Sequence, residues 1–250
     1  MFDDGIMGMP DTQAEFCEPQ IFSDNCAVCA ETSILNQCLP GLDLDQVNAA
    51  YISASNDWYV PGEGTSLDVV GNLLESHGIE THTVYNATIE QLASEVMQGH
   101  GVIVGVNSGD LWAKGPLAEL KNFLYDTLGL PADHAIVVTG FDVSDPANPQ
   151  VIINDSGVLD GAGVSYPLDK FMDAWKNSDF YYVATDAPIQ EYAQQSIIQN
   201  ALSDGFGLVN SSEMPSFEGG SAFNTSAFHQ ETSVVPIAEF VQDDDISRSI

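Results

Sequence analysis

The cysteine at position 26 has the surroundings that turn a thiol into a nucleophile. Three residues able to cap a helix, Ser23, Asp24 and Asn25, come directly before Cys26, and apolar or small residues then recur at helical spacing as far as Cys38. Cys26 is therefore predicted to lie in the first turn of a helix. The unsatisfied backbone N–H groups and the helix dipole at that place favour the thiolate over the thiol.

A histidine and an aspartate occupy the ends of two predicted strands. His134 begins a β-branched run that continues to Asp142, and Asp155 closes the next run, which starts at Val151. The intervening residues 145–149 have the composition of a hairpin loop. Because the first residue of one antiparallel strand lies beside the last residue of its neighbour, His134 and Asp155 should meet at one end of the sheet. A carboxylate at that place would orient the imidazole.

A side-chain amide comes six residues before the cysteine. Gln20 can donate an N–H, and the backbone N–H of Cys26 at the helix start supplies a second donor. Two donors directed at one oxygen form the oxyanion site that acyl transfer requires. Together with the histidine and the aspartate, this arrangement resembles that of papain-like cysteine peptidases.

The rest of the sequence predicts an α+β fold. Capped or amphipathic segments predict helices at 45–51, 66–77, 88–97, 115–128 and 167–175, and alternating or β-branched runs predict strands at 81–85, 102–106 and 180–184. Residues 1–19 are predicted to form an extended lead-in, and residues 1–187 a single peptidase domain. Residues 188–250 lack a sustained apolar period, so they are predicted to form an acidic, mostly disordered or loosely packed tail, with a helical turn or two at 197–202.

The net charge of the chain restricts its partners. Five Lys plus Arg against 37 Asp plus Glu give a formal charge of -32, which repels nucleic acid and anionic membrane surfaces and attracts basic peptides. Adaptation to salt, or export of an acidic chain by a dedicated transporter, is favoured over substrate steering as the explanation of the charge. No apolar run is long enough for a membrane span, and the acidic start lacks the basic region of a signal peptide. The predicted location is the cytoplasm, or outside the cell after export without a cleavable signal peptide.

The four cysteines, Cys17, Cys26, Cys29 and Cys38, all lie in one short segment. The spacing Cys26-x-x-Cys29 is compatible with a redox pair or half of a zinc site. Zinc is disfavoured because three of the cysteines share a predicted helix, and a redox motif is disfavoured because no apolar strand precedes the pair. Cys29 and Cys38 are therefore interpreted as small buried side chains, and no metal or cofactor is predicted.

Taken together, these residues resemble the bacteriocin-processing peptidases of the papain-like clan, which remove double-glycine leaders, and in particular their stand-alone relatives without a transporter. The resemblance extends over roughly residues 15–185. It implies a papain-like cysteine protease fold in which the nucleophile helix packs on an antiparallel sheet that carries the histidine. It also implies that Cys26 is the nucleophile and His134 the general base and acid. Asp155 would then orient His134, and Gln20 would be the oxyanion donor.

Three positions depart from the pattern of that family. Ala27 follows the nucleophile where glycine is usual, Cys29 stands where the family has another small residue, and Ser156 follows Asp155 where proline is common. Ala27 is small and compatible with a helix, so the thiol stays accessible. Ser156 keeps a backbone N–H that proline would remove, which either loosens or re-tethers the loop at Asp155.

Three classes of function are open on the sequence alone. The first is a thiol peptidase that cleaves a peptide or isopeptide bond of a peptide or protein substrate, with basic substrates favoured. The second uses the same residues for acyl transfer or deamidation, and differs in whether water or an amine intercepts the thioester. The third is a non-catalytic acidic binding module whose cysteine cluster holds a metal.

Overall fold

A seven-stranded antiparallel sheet forms the centre of the part of the chain that the structure describes. The computed structural model describes residues 5–112 and 132–206, which belong to one compact unit, Met1–Leu208. The strands are β1 (Ile6–Gly8), β2 (Thr81–Val84), β3 (Val102–Val106), β4 (His134–Asp142), β5 (Gln150–Asn154), β6 (Val164–Pro167) and β7 (Tyr182–Thr185). They lie in the order β2-β7-β3-β4-β5-β6, and β1 pairs with β4.

The pairing of β4 determines what lies near His134. β3 runs antiparallel to the first half of β4, with Val106 opposite His134, and β1 pairs with the second half. β5 pairs along the other side of β4, with a shift in register between Val138 and Gly140. The end of β3, the start of β4 and the end of β5 therefore lie at the same end of the sheet.

Helices cover both faces of this sheet. Within the described residues the α-helices are α1 (Pro10–Ala14), α2 (Cys26–Cys38), α3 (Gln46–Ser55), α4 (Asn72–Ser76), α5 (Ile89–Gln98), α6 (Ser108–Trp112), α7 (Leu168–Trp175) and α8 (Ile189–Phe206). α2, α3 and α4 pack with Ile103 and Val137 on one side, while α5 and α7 pack with Val102 and Val138 on the other. Because successive strand residues point to opposite faces, the central strands carry apolar runs that are buried on both faces, Val102–Val106 in β3 and Ala135–Val138 in β4.

The helix α2 is buried along most of its length. It begins at Cys26 as predicted, although the side chain of its N-cap residue, Asn25, makes no capping hydrogen bond. The buried carboxyl group of Glu31, whose pKa is raised to about 8 by burial, accepts a hydrogen bond of 2.9 Å from the backbone N–H of Leu73, at the start of α4. This contact fixes α2 against its neighbour, since a buried polar group loses free energy without a hydrogen-bond partner.

Two segments differ from their predicted structure. Residues 1–19 are not simply extended, because they contain β1 and α1. The helix predicted at 66–77 is divided into a 3₁₀ turn, Leu67–Val69, and α4. The division falls at Gly71, whose φ of 102° is left-handed and incompatible with a continuous helix. A Cβ at this position would lie 2.9 Å from Oγ1 of Thr81, so the close approach also requires glycine.

The segment after residue 188 is also more regular than predicted. Residues Ile189–Phe206 form α8, and Ile189 is buried in the core beside α2, with Tyr192 packed against it. The backbone N–H of Ile189 donates to the carbonyl of Gly99 at 2.9 Å. Residues 189–206 are thus a helix whose start packs on the core, the predicted tail boundary stays a prediction, and the rest of that tail lies outside the described residues.

The predicted fold class is confirmed, because a mixture of helices and an antiparallel sheet places α2 against the strand that carries His134. The predicted helix at 115–128 lies outside the described residues, and the domain boundary at 187 stays a prediction. Within the described ranges, no helix combines the length and the apolar character needed to cross a membrane.

Candidate active site

The sulfur of Cys26 lies where α2 begins and where β4 passes beneath it. The backbone N–H of Ala135 donates to Sγ of Cys26 at 3.4 Å. Burial acts to raise the pKa of this thiol, but the hydrogen bond with His134 and the charge of His134 outweigh it and lower the pKa below its ordinary value. Cys26 is thus a partly exposed cysteine whose surroundings favour the thiolate.

The other three cysteines have raised thiol pKa values, in contrast to Cys26. Burial raises the pKa of Cys17 to about 11 and the pKa values of Cys29 and Cys38 to about 12. The thiol of Cys29 donates to Oε1 of Gln46 at 3.1 Å. None of the four is in a disulfide, and the described residues contain no group of three or more His, Cys, Asp and Glu side chains arranged to hold a metal ion.

His134 and Asp155 meet as the hairpin pattern predicts. Nε2 of His134 lies 2.7 Å from Oδ1 of Asp155, so Nδ1 is the ring nitrogen available to Cys26. Burial acts to lower the pKa of His134, but its hydrogen bonds with Asp155 and Cys26 prevail and raise that pKa to about 9. The pKa of Asp155 is correspondingly lowered: burial opposes this, and the hydrogen bond and charge of His134 outweigh it. Both shifts act in the direction of a thiolate–imidazolium pair.

Trp112 and Gly157 complete the surroundings of the His–Asp pair, and our sequence reasoning did not identify either. Nε1 of Trp112 donates to Oδ2 of Asp155 at 2.8 Å, and its ring packs edge-on against His134 with centroids 5.1 Å apart. The N–H of Gly157 donates to Oδ1 of Asp155 at 2.9 Å. A Cβ on Gly157 would lie 2.8 Å from the Trp112 ring and 2.9 Å from the His134 ring, so only glycine fits there.

The predicted oxyanion donor, Gln20, lies against the turn that follows Asp155. Its backbone N–H donates to the carbonyl of Ser156 at 2.8 Å, and Oγ of Ser156 donates to Oε1 of Gln20 at 3.3 Å. Nε2 of Gln20 donates to the carbonyl of Phe22 at 2.9 Å. Ser156 thus tethers the Asp155 turn to the Gln20 loop. The structure brings Cys26, His134 and Asp155 together directly and connects Gln20 to them through Ser156.

The loop that leads into α2 is fixed by hydrogen bonds at Asp24 and exposes two apolar side chains to solvent. The carboxylate of Asp24 accepts hydrogen bonds from the hydroxyl of Tyr59, at 2.7 Å, and from the N–H of Gly62. Ile21 and Phe22, on the same loop, are 57% and 42% exposed. Apolar side chains are therefore presented to solvent within a few residues of Cys26.

The fold and these contacts define a class, a papain-like domain with a thiol at a helix start beside a His–Asp pair. Comparison with protein families gives the same result: the model described as the Peptidase_C39 like family matches residues 19–183. That span is more than half of the 250-residue chain and contains all four predicted site residues. The chain belongs to the Peptidase_C39 like family, a family of cysteine peptidases, and the predicted family is confirmed.

Individual relatives are more distant. Uncharacterized proteins of Mycobacterium tuberculosis and Mycobacterium bovis are each 34% identical to this chain over 135 residues, covering 50% of this chain and 54% of the relative. The chain spans about half the length of these curated relatives. A crystal structure described as a C39-like peptidase from Bacillus anthracis has 17% identity and a TM-score of 0.47, covering 68% of this chain and 92% of that chain. The peptidase domain of Streptococcus ComA, a bifunctional ABC transporter involved in quorum sensing, has 19% identity and a TM-score of 0.45, covering 69% and 97%.

Proposed function

We propose that this chain hydrolyses peptide bonds with Cys26 as nucleophile, His134 as general base and acid, and Asp155 as the residue that orients His134. The observation that carries the proposal is the 2.7 Å contact between Nε2 of His134 and Oδ1 of Asp155. It directs the other ring nitrogen to the thiol at the helix start. Cys26 is also the cysteine with a lowered pKa, while the pKa values of the other three are raised.

In the acylation step, the thiolate of Cys26 attacks the carbonyl carbon of the scissile bond. The negative charge passes to the carbonyl oxygen, where the backbone N–H of Cys26 and the side-chain amide of Gln20 stabilise it. The first N–H groups of a helix have no intrahelical acceptor, so that of Cys26 is suited to this role. When the tetrahedral intermediate collapses, the C–N bond breaks and Nδ1–H of His134 protonates the leaving amine.

In the deacylation step, the neutral imidazole accepts a proton from water, and the resulting hydroxide attacks the thioester. Collapse of the second intermediate releases the acid and restores the thiolate–imidazolium pair. Asp155 keeps the Nε2–H of His134 directed away from the thiol throughout, since its carboxylate accepts that hydrogen in both states. Trp112 and Gly157 hold the carboxylate by two further hydrogen bonds, so its orientation does not depend on His134 alone.

The charge of -32 supports a preference for basic peptide substrates. A field of this sign raises the local concentration of cationic peptides and repels acidic ones. Exposed Ile21 and Phe22 would supply apolar contacts beside the nucleophile.

The test combines labelling with hydrolysis. At about pH 6, iodoacetamide should alkylate Cys26 much faster than Cys17, Cys29 or Cys38 in the folded protein, as located by mass spectrometry. A peptide mixture from digested casein should be cleaved further by the native chain, with incorporation of one ¹⁸O atom at each new carboxyl end when the reaction is run in labelled water. The variant Cys26→Ser is the control, and it should lose both reactions.

Two results would contradict the proposal. Equal labelling of all four cysteines in the folded protein would remove the basis for assigning Cys26. Thiol reactivity at Cys26 combined with transfer of the acyl group to an added amine, without ¹⁸O incorporation, would identify acyl transfer as the reaction instead.

A further inference from the structure

The side chain of Gln46 lies under the loop that carries Gln20. Gln46 is the first residue of α3 and is 7% exposed. Its Nε2 donates to the carbonyl of Pro19 at 2.9 Å, and its Oε1 accepts from the backbone N–H of Ile21 at 3.2 Å. One amide group therefore binds the residue on each side of Gln20.

The same amide also contacts the nucleophile helix. Oε1 of Gln46 accepts a second hydrogen bond, at 3.1 Å, from the thiol of Cys29, which lies one helical turn after Cys26. Nε2 makes its second contact with the carboxylate of Glu18 at 3.4 Å. A glutamine amide has two acceptor sites and two donor hydrogens, so all four are used.

We propose that Gln46 is a positioning residue of the oxyanion site, which sets the place of Gln20 relative to Cys26 by joining the Pro19–Ile21 segment to α2. The inference rests on the role proposed above for Gln20. Since the rate of acylation depends steeply on where an oxyanion donor lies, displacement of the loop by a fraction of an ångström lowers that rate.

Only glutamine satisfies these partners. The N–H of Ile21 requires an acceptor and the carbonyl of Pro19 requires a donor, which also fixes the orientation of the amide. Glutamate would direct a carboxylate oxygen at the Pro19 carbonyl and at the Glu18 carboxylate. Methionine has a similar size but leaves both backbone groups without their present partner.

The position of Gln46 is itself fixed by its neighbours. The carboxylate of Asp45 caps α3 by accepting from the backbone N–H groups of Val47 and Asn48, each at 2.9 Å. The amide of Asn36 on α2 exchanges two hydrogen bonds of 2.9 Å with the backbone of Leu44. The start of α3 is thus anchored to α2 independently of the Gln20 loop.

Two reactions of Cys26 separate positioning of the oxyanion site from general damage. Acylation by p-nitrophenyl acetate forms a tetrahedral oxyanion, whereas alkylation by iodoacetamide displaces iodide at a saturated carbon and forms none. Gln46→Met should lower the acylation rate by about tenfold or more, less than the ~10²–10³-fold expected when an oxyanion donor is deleted, and should leave alkylation within about twofold. In a Gln20→Ala background, the further loss caused by Gln46→Met should be less than about twofold, because the residue that it positions is already absent.

Gln46→Glu provides a second variant with a pH signature. The measured quantity is the ratio of the acylation rate to the alkylation rate, taken relative to the same ratio in the native chain. In Gln46→Glu this relative ratio should rise as the pH falls from about 8 to about 5, because a protonated carboxyl group again donates to the Pro19 carbonyl. The matched control is Gln37→Met. Gln37 is a buried glutamine whose amide donates to the carbonyl of Ser33 within α2, and this change should leave the ratio of the two rates unchanged.

Each remaining outcome overturns a specific statement. If Gln20→Ala lowers acylation but Gln46→Met does not, Gln46 is not a positioning residue, while the proposed function stands. If acylation and alkylation fall together in Gln46→Met and the Gln46→Glu ratio is flat with pH, the role of Gln46 is general stability alone. If Gln20→Ala leaves acylation unchanged, the role of Gln20 and the inference about Gln46 are both wrong.

Discussion

Replacing Asp155 with asparagine tests the His–Asp pair and its neighbours together. Oδ1 of Asp155 accepts from His134 at 2.7 Å and from the Gly157 N–H at 2.9 Å, and Oδ2 accepts from Nε1 of Trp112 at 2.8 Å. Asparagine has the same shape but a single acceptor oxygen. If that oxygen keeps its contacts with His134 and Gly157, the new amide hydrogens face the N–H of Trp112. Donor then opposes donor at the fully buried side chain of residue 155, although Trp112 itself is 37% exposed.

The cost of this conflict can be worked from its contacts. A hydrogen bond to a charged group contributes about 1.5–3 kcal/mol, and a buried donor left without an acceptor costs a similar amount. We therefore expect Asp155→Asn to lower the free energy of unfolding at pH 7 by about 2–3 kcal/mol. Trp112→Phe removes the opposing donor, so the double variant should be more stable than the sum of the single losses by about 1–2 kcal/mol.

Urea denaturation of the native chain, both single variants and the double variant gives the coupling energy directly. A coupling below about 0.5 kcal/mol is the additivity expected of independent sites. That result would refute the conclusion that Trp112 and Asp155 form one hydrogen-bonded unit. A double variant less stable than the sum would refute it as well.

The same substitution should change the pH dependence of Cys26. Burial acts to raise the pKa of Cys26, and the hydrogen bond and charge of His134 outweigh this and lower it. Without the carboxylate of Asp155 the pKa of His134 falls from about 9, so less imidazolium is present to stabilise the thiolate. The midpoint of the rise in iodoacetamide alkylation with pH should therefore move upward, by roughly one unit for each 1.36 kcal/mol of lost stabilisation. A midpoint that stays in place or moves downward would show that Asp155 does not support the imidazolium.

Three further predictions follow from single features. Gly157→Ala should lower acylation of Cys26 at least ~10-fold, because the new Cβ displaces Trp112 or His134. A native acylation rate would contradict the close packing. Ile189→Ala should lower the free energy of unfolding, measured by urea denaturation, by about 2–4 kcal/mol, while Ile197→Ala on the exposed side of α8 should lower it by less than about 0.5 kcal/mol. Equal losses would show that α8 is not anchored at its start. The melting temperature should rise between about 0.01 M and 1 M sodium chloride. Over this range the Debye length falls from about 30 Å to about 3 Å, which screens the repulsion within a chain of charge -32. A preference for basic over acidic peptides that persists at physiological salt would favour substrate steering over salt adaptation.

The parts of the site that could be predicted are those encoded locally. The start of α2 follows from the apolar and small residues that recur after Cys26, and this holds although the expected cap by Asn25 is absent. The meeting of His134 and Asp155 follows from two β-branched runs joined by a short loop, because a hairpin fixes which strand ends are neighbours. No knowledge of the rest of the fold is needed for either.

The contacts of Trp112 illustrate what local patterns do not contain. Trp112 precedes Asp155 by 43 positions, and their hydrogen bond depends on the pairing of β3 with β4. A signal was nevertheless present in the sequence. If the predicted strands at 102–106 and 134–142 are paired antiparallel, the residues after the first lie beside His134, and a tryptophan there requires a partner for its N–H.

The local backbone at residues 66–77 and at the start of α8 was not visible in the sequence for one physical reason: periodicity reports the apolar face of a segment and not its backbone. The residues from 66 to 77 do place apolar side chains inward, but the left-handed Gly71 divides the helix without disturbing that pattern. Among the α8 residues whose side chains the structure describes, 189–203, Ile189 and Tyr192 at the start reach the core, while Ile197, Ile198 and Leu202 stay exposed. One buried turn at the start of a helix is too short for a periodic signal.

The serine at position 156 connects the two halves of the proposed mechanism. In place of the proline common in related sequences, Ser156 offers a hydroxyl to Oε1 of Gln20 and a carbonyl to the Gln20 N–H. The turn that holds Asp155 is therefore bonded to the loop that holds Gln20, and Gln46 binds that loop from the opposite side. Because both contacts act on the same few residues, a shift of the Asp155 turn would move the loop of the proposed oxyanion donor. Proline at position 156 would keep the carbonyl contact with the Gln20 N–H but lose the hydroxyl contact, so the hydroxyl of Ser156 is what adds a second bond between the Asp155 turn and the Gln20 loop.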